Sequence, residues 1–178
     1  MKALRTIRLD ASDTFVFERA ANPGEWAVSG AFDFANADPT QLEGRSRAAF
    51  RSGFLGIDTL GRSTLVQVVN VTETERGAAI DLLARRLVQH FGAPNLDVAR
   101  AAAEEEVEFA CSLAQHPSGV LVAVSRTVES GAIKEAFRSL RPLEHKLPGV
   151  YAFLHAPDEA GEAGEEVDLT GLAKRAPI

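Results

Sequence analysis

Four arginines in one short segment are the residues best suited to binding a ligand. They are Arg45, Arg47, Arg51 and Arg62. Arginine recognises carboxylate and phosphate groups because its planar guanidinium can donate two parallel hydrogen bonds to them. Arg47 and Arg51 are four residues apart, so a helix through 45–54 would place both on one side. The sequence therefore predicts an anion-binding or acidic-partner-binding patch formed by these four residues.

A second interpretation gives the same arginines no ligand. Exposed arginines commonly remain solvated or pair with acids, and such surface pairs contribute only ~0–1 kcal/mol. The acids considered as partners are Asp33, Asp38 and Glu43. The glycines of this segment match neither a G-x-G-x-x-G fingerprint nor a P-loop, so no cofactor is predicted. Both interpretations of the arginines stay open at the level of sequence.

An acidic run could also do chemistry: Glu104, Glu105, Glu106 and Glu108. Glu105 and Glu106 fall between Ala102 and Phe109 on the apolar stripe of a predicted helix. A carboxylate pair aimed into a cleft would have raised pKa values suited to acid–base work. The commoner alternative is a solvated helix face, and no catalytic residue is assigned.

Cys111 and four histidines are the remaining reactive side chains. A nucleophilic thiol usually lies at a helix N-terminus or beside a cation, where its pKa is lowered. Cys111 instead falls near the end of a predicted helix, so an inert buried thiol is favoured over a nucleophile with His90 or His116 as base. No two histidines are spaced i, i+4, and one cysteine cannot build a cysteine-rich zinc site, so no metal site is predicted.

Three aromatic residues near predicted loops could form a contact patch for a partner. They are Trp26, Phe50 and Phe54. Aromatic residues are enriched at the energetic centres of interfaces. Core packing is their alternative role, and it is the favoured one for Trp26.

Composition narrows the classes of function. The chain has 178 residues, 46% hydrophobic and 25% charged, as in an ordinary globular domain. Its formal charge of −6 argues against general nucleic-acid binding. The apolar runs are far shorter than the ~20 residues that cross a bilayer, and the N-terminus lacks the apolar core of a signal peptide. A cytoplasmic protein without membrane contact is expected.

Hydrophobic periodicity predicts the elements that position these residues. Alternating or continuous apolar runs favour strands, and the predicted strands are 2–9, 13–19, 25–35, 63–72, 119–128 and 149–155. Residues 13–19 and 25–35 are expected to pair as a hairpin around the turn at 22–24. Apolar spacing and capping residues favour helices, and the predicted helices are 41–54, 73–91, 96–115 and 130–140.

Two of these helices have clear boundaries. Thr72 and Glu75 have the spacing of a capping box at the start of helix 73–91, and Gly92 follows its end. Asn95 is a suitable N-cap for helix 96–115. That second helix is expected to bury one apolar stripe: Val98, Ala102, Phe109 and Leu113. The residues beside this stripe are small enough for close packing: Ala99, Ala103, Val107 and Ala110.

The direction of the chain through these elements predicts an α+β fold. Two helices separate strands 63–72 and 119–128, so these strands should be antiparallel if adjacent. Ser130 is expected to cap helix 130–140, which would make strand 149–155 parallel to 119–128 through a right-handed crossover. We predict a mixed, mainly antiparallel sheet of five or six strands with three to four helices packed on it.

The composition changes after Pro157. Residues 157–178 carry six acidic and two basic side chains among glycines and alanines, a composition that cannot bury a core. Residues 1–156 are therefore predicted to form a single α+β domain, followed by a mobile acidic tail.

Four stretches carry a family resemblance. They are SGAFDF at 29–34, GRSRAAFRSGFLG at 44–56, GRSTLVQVVNVTE at 61–73 and AQHPSGVLVAVSRT at 114–127. The chain resembles a family of small uncharacterised bacterial proteins, a domain of unknown function, over most of residues 1–155. The resemblance transfers no active-site residue. It implies an accessory role close to oxidoreductase maturation and cofactor-protein ligation.

Two functions are compatible with these features. The first is a non-catalytic accessory module that binds a protein partner or a second copy of itself. The second is an enzyme or binding protein for a small anionic metabolite, using the arginines of 45–62. A deep pocket at that segment would favour the second function, and a flat surface would favour the first.

Overall fold

The computed structural model describes residues 1–142 and 151–153, and these form an α+β fold. Its strands are divided between two sheets. In spatial order, the larger sheet contains β1 (Lys2–Thr6), β5 (Leu65–Asn70), β6 (Leu121–Glu129), β7 (Ala132–Pro142) and β8 (Tyr151–Phe153). The smaller sheet contains β2 (Ala27–Val28), β3 (Phe54–Gly56) and β4 (Arg62–Ser63).

The described residues also form four α-helices and two short 3-10 turns. The helices are α1 (Ser12–Val16), α2 (Gly44–Ser52), α3 (Glu73–His90) and α4 (Leu96–Leu113). The 3-10 turns are Ala31–Phe34 and Pro39–Gln41. α3 and α4 pack against each other, and α4 also lies against β1 and β2. Within the described part of the chain, no helix is both long enough and apolar enough to cross a membrane.

β5 and β6 form the centre of the larger sheet and are antiparallel, as predicted. Their core-facing positions are occupied by buried valines, namely Val66, Val68, Val122 and Val124. Valine suits these positions because its branched side chain packs well on a pleated, covered surface. This pair of strands therefore anchors one wall of the core.

The predicted boundaries around α3 and α4 are confirmed. Thr72 Oγ1 accepts a hydrogen bond from the Glu75 N–H at 3.2 Å, and Glu75 Oε2 accepts one from the Thr72 N–H at 2.8 Å. The Asn95 side chain caps α4 by accepting from the Val98 N–H at 2.9 Å. Gly92 follows α3 with a φ of 75°, a conformation that glycine adopts without strain.

The buried face of α4 differs from the prediction. Val98, Ala102 and Phe109 are exposed, so the predicted stripe is wrong at these positions. Leu113 is partly buried against the core. The fully buried face consists instead of small residues, namely Ala99, Ala103, Val107 and Ala110. Small side chains let two helices approach closely, and that close packing outweighs the burial of a few larger side chains.

The predicted hairpin of 13–19 with 25–35 does not form. The first segment contains α1, where buried Asp13 accepts hydrogen bonds from Thr64 N at 3.2 Å and Thr64 Oγ1 at 2.6 Å. In the second segment the strand ends at Val28, because Gly30 turns the chain with a φ of 71° into the 3-10 turn that follows. Neither event leaves a periodic signal in the sequence.

The predicted helix 130–140 is wrong, because this segment belongs to β7. Ser130 and Gly131 have φ values of 51° and 79°, as a two-residue hairpin turn requires. β6 and β7 pair antiparallel along their whole length, and β8 pairs antiparallel with β7. A tight turn therefore replaces the predicted crossover.

The architecture of the sheets changes accordingly. The strands form two sheets, with antiparallel ladders throughout, rather than one mixed sheet of five or six strands. The predicted helix in 41–54 is present as the shorter α2. The predicted tail, 157–178, lies outside the described residues.

A matched pair of valine substitutions tests the corrected face of α4. Val107 is 0% exposed and Val98 is 51% exposed. Val107→Ala should lower the free energy of unfolding by about 1–3 kcal/mol, because it leaves a cavity. Val98→Ala should change it by less than about 0.5 kcal/mol. Urea denaturation measures both, and equal losses would restore the originally predicted face.

Candidate functional site

A fully buried arginine, Arg126 on β6, joins three separate segments of the chain. Its Nε donates to Glu135 Oε1 at 2.7 Å, on the neighbouring strand β7. Its Nη1 donates to the carbonyls of Phe50 at 2.9 Å and Gly53 at 3.0 Å, at the end of α2. Its Nη2 donates to the carbonyl of Ser29, just before the first 3-10 turn. Every nitrogen of the guanidinium therefore has a protein acceptor, as a desolvated charge requires.

Arg62 on β4 is a second buried arginine. It binds residues in and just before the 3-10 turn Ala31–Phe34. Its Nη1 donates to the carbonyls of Gly53 at 3.2 Å and Gly30 at 3.4 Å, and its Nη2 donates to Asp33. The guanidinium lies 4.8 Å from the centre of the Phe34 ring. The 3-10 turn Ala31–Phe34 is thus held by hydrogen bonds and by a cation–π contact.

Burial lowers the pKa of Arg62 to about 10, while Asp33 opposes the shift and Arg126 adds to it. The group stays charged at neutral pH, so the interior holds two guanidinium groups that share the Gly53 carbonyl.

Gly30 has no room for a side chain, because an added Cβ would lie 2.5 Å from Leu55 Cβ. Close approach of the backbone therefore dictates glycine beside the buried pair.

The turn Ala31–Phe34 separates two open clefts of similar size. On the side of Arg62 lies what we call the basic cleft, with a volume of about 520 Å³. Its lining residues are Glu18, Arg19, Asp33, Phe34, Arg45, Ser46, Ala49, Leu60 and Arg62. Three guanidinium groups face two carboxylates, so the lining is net positive in an acidic protein.

Two of the four predicted arginines line the basic cleft. Arg45 and Arg62 line it, whereas Arg47 and Arg51 are exposed on α2 and are not among its lining residues. The pairing of Arg62 with Asp33, one of the partners considered from the sequence, is present. Arg19 was missed, because only the tertiary fold brings it alongside Arg62. The backbone N–H of Arg62 donates to the Arg19 carbonyl at 2.8 Å.

The second cleft, which we call the aromatic cleft, has a volume of about 510 Å³. Its lining residues are Phe32, Asp33, Ala35, Asn36, Leu87, His90, Phe91, Ala102, Glu105 and Glu106. The rings of Phe32 and Phe91 meet edge to face, with their centres 5.1 Å apart. The cleft therefore joins the 3-10 turn to the facing surfaces of α3 and α4.

Glu106 is the titratable group most perturbed in the aromatic cleft. Burial raises the pKa of its carboxyl to about 7, and Glu135 and Glu105 add to the shift while Arg126 opposes it. Its Oε2 atom is buried and has no hydrogen-bond partner. The acidic run thus includes one carboxyl, at the wall of a cleft, whose pKa lies near neutral pH. Such perturbed groups are typical of functional sites.

The predicted aromatic contact patch is wrong. Trp26, Phe50 and Phe54 are all buried, because each has a partner in the core. Trp26 is covered by the Arg5 guanidinium at 4.8 Å, and Phe50 meets Phe34 edge to face at 5.3 Å. Phe54 belongs to β3 and packs inside the main hydrophobic cluster.

Three exposed large apolar residues lie elsewhere, in α1 or shortly before it. Leu9 and Phe15 are more than half exposed, and Val16 is also exposed. Phe15, at 72%, is the most exposed large apolar residue in the described part of the chain. The continuous β-prone run at 15–17 suggested a strand at this position and so hid the exposure of these side chains.

Cys111 lies half-buried on α4, and burial raises its pKa, the opposite of what a nucleophilic thiol requires. His90 lines the aromatic cleft. Among residues 1–142 and 151–153, no group of three or more metal-binding side chains comes together.

Removal of the Arg126 guanidinium should be severely destabilising. Arg126→Met removes one donor from Glu135 and from each of three backbone carbonyls, and the expected loss in unfolding free energy is about 3–5 kcal/mol. Arg138→Met, at an exposed position of the same hairpin, should change it by less than about 0.5 kcal/mol. Thermal and chemical denaturation of both variants provide the measurement, and comparable losses would refute the central role of Arg126.

Glu106 should make the stability depend on pH. Its folded pKa of about 7 exceeds the ordinary 4.5, so the native state keeps a proton that the unfolded chain has lost. The resulting stabilisation is fully present below about pH 4.5 and is lost as pH rises through about 7. Glu106→Gln removes this loss, so its stability relative to wild type should increase from pH 4.5 to pH 8. Glu104→Gln should follow wild type in urea titrations at both pH values.

Comparison with known proteins places the chain in a family. Neither the curated proteins nor the solved structures contain a match. A family model does match, and it covers residues 1–158. That span includes both clefts and the buried arginines between them. The chain therefore belongs to this family, described as a family of unknown function (DUF6505).

Proposed function

We propose that this protein is a non-catalytic binding module whose basic cleft takes a small carboxylate- or phosphate-bearing ligand. The observation that carries the proposal is the convergence of Arg19, Arg45 and Arg62 on one cleft of about 520 Å³. That volume is typical of small-molecule sites. Arginine is the side chain that best recognises planar anionic groups.

The electrostatics of the cleft support an anionic ligand. Arg62 is buried and already engaged with Asp33, so it supplies fixed positive charge at the base. Arg45 and Arg19 are exposed. Arg19 Nη1 donates to the Thr59 carbonyl at 3.1 Å, so Arg45 is the freer of the two to turn toward an anion. An anion also stabilises a desolvated guanidinium, because it offsets the burial that lowers the Arg62 pKa.

The start of α2 adds to this field. The helix begins at Gly44, and the Glu43 side chain makes no capping hydrogen bond. The first N–H groups of a helix carry partial positive charge and favour an anion nearby. Arg45 and Ser46, in the first turn of α2, both line the cleft.

A second candidate function is docking of a protein partner or a second copy of this chain. The supporting observation is the exposure of three large apolar side chains in one short segment, Leu9, Phe15 and Val16, which we call the α1 patch, since exposed apolar surface commonly marks interaction sites. An accessory role in oxidoreductase or cofactor-protein maturation, implied by the family resemblance, belongs to this candidate and stays a prediction.

A pair of neighbouring arginines tests the proposed ligand site. Calorimetric titration with inorganic phosphate and with citrate should detect binding to the wild type. Arg45→Gln should weaken it about tenfold or more through the loss of one charge-assisted contact. Arg47→Gln, at an exposed position on the same helix outside the cleft, should leave binding unchanged. Equal effects of the two variants, or no binding by the wild type, would rule the basic cleft out as an anion site.

The oligomeric state tests the second candidate. If the α1 patch mediates self-association, light scattering coupled to size exclusion should show a dimer that Phe15→Ser converts to a monomer. Val88→Ser, at an exposed apolar position on α3, is the control and should leave the dimer intact. A wild-type monomer at all concentrations would remove self-association from consideration.

A further inference from the structure

The aromatic cleft has the opposite charge to the basic cleft, although the two share one wall. No lysine or arginine is among its lining residues, whereas three carboxylates are. Asp33 is already paired with Arg62. Glu105 and Glu106, consecutive on α4, are the two carboxylates that remain to act on a ligand.

The rest of the lining is apolar and aromatic. Phe32 and Phe91 meet edge to face at 5.1 Å, and Leu87 and Ala102 extend this surface across α3 and α4. Aromatic faces attract cations through their quadrupole, and apolar walls favour a ligand with a hydrocarbon body. An anion is disfavoured in this cleft by Glu105 and Glu106.

One polar atom at this wall lacks a partner. Glu106 Oε2 is buried and receives no hydrogen bond, whereas the great majority of buried polar atoms in folded proteins are satisfied. The neighbouring Glu135 has its donors, since Arg126 and Ser29 both bond to its Oε1. Once Glu106 has lost its proton, this oxygen can accept a hydrogen bond, and a positively charged donor suits a carboxylate best.

We infer that the aromatic cleft binds a small organic ammonium ion, with its hydrocarbon body against Phe32 and Phe91 and its ammonium group at Glu105 and Glu106. This site is separate from the basic cleft, on the other side of the turn Ala31–Phe34. Each cleft can be titrated in the absence of the other's ligand, so either site can be tested alone.

Four probes of similar size separate the contributions of charge and shape. Benzylamine and cyclohexylmethylamine carry the ammonium on an aromatic or aliphatic ring, whereas benzyl alcohol and benzoate are neutral and anionic. In calorimetric titrations at pH 8, both amines should bind the full-length protein, benzyl alcohol at least about tenfold more weakly, and benzoate not at all. Benzyl alcohol binding as tightly as benzylamine would overturn the inference.

Variants on α4 locate the site. Glu106→Gln should weaken benzylamine binding about tenfold or more, because the amide keeps the shape and removes the charge. Glu104→Gln, exposed on the same helix but outside the cleft, should leave the affinity unchanged. Phe91→Leu should weaken both amines if the ring makes a cation–π contact with the ammonium, and benzylamine more than cyclohexylmethylamine if it also contacts the aromatic ring of the ligand. Unchanged affinity in Glu106→Gln would exclude this cleft as the site.

The pH dependence provides a further readout. Binding should strengthen from pH 6 to pH 8 as Glu106 loses its proton, since an alkylammonium keeps its charge below about pH 9. The charged groups around Glu106 are Glu105 on α4, Glu135 on β7 and Arg126 on β6. His90 also lines the cleft, so the same dependence has to persist in His90→Asn. A pH dependence that disappears in that variant would contradict the role given to Glu106.

Discussion

The structure depends on one buried positive charge, the guanidinium of Arg126. The guanidinium of Arg126 needs several acceptors at once, and they come from the chain before the first 3-10 turn, the end of α2 and the neighbouring strand. Burial of such a group is tolerated only when nearly all its donors are satisfied. Each of those segments must therefore present its carbonyl or carboxylate to one point. Arg62 repeats the arrangement from the opposite side.

The turn Ala31–Phe34, held by these hydrogen bonds, separates two clefts of opposite charge. Phe32 lines the aromatic cleft, Phe34 lines the basic cleft, and Asp33 between them reaches both. A single short turn thus separates a net positive surface from a negative, aromatic one about the same size. Because hydrogen bonds to buried arginines fix the turn, the wall between the clefts is rigid, and a rigid wall keeps each set of charges in place for a ligand.

Local signals account for what could be predicted from the sequence. The capping box at Thr72 and the cap at Asn95 involve residues three apart, so both were visible. The turn at Ser130 was mistaken for a cap, because serine opens helices and hairpin turns alike. The two clefts combine residues from distant segments, and the sequence pointed only to parts of each: Arg45 and Arg62 in one, Glu105 and Glu106 in the other. One overlooked signal was available: Arg126 occupies a core-facing position among the valines of β6, where an unpaired charge would be prohibitive.

The hydrogen bonds of Arg126 also constrain how the chain assembles. Those to Gly53, Phe50 and Ser29 span 73, 76 and 97 residues of sequence. Contacts of such separation close late, after the entropy of large loops has been lost. Until the segments that carry these carbonyls arrive, the guanidinium lacks its protein acceptors and has to stay hydrated. The guanidinium consequently favours the native arrangement over compact misassembled ones, because only the native arrangement supplies all its acceptors.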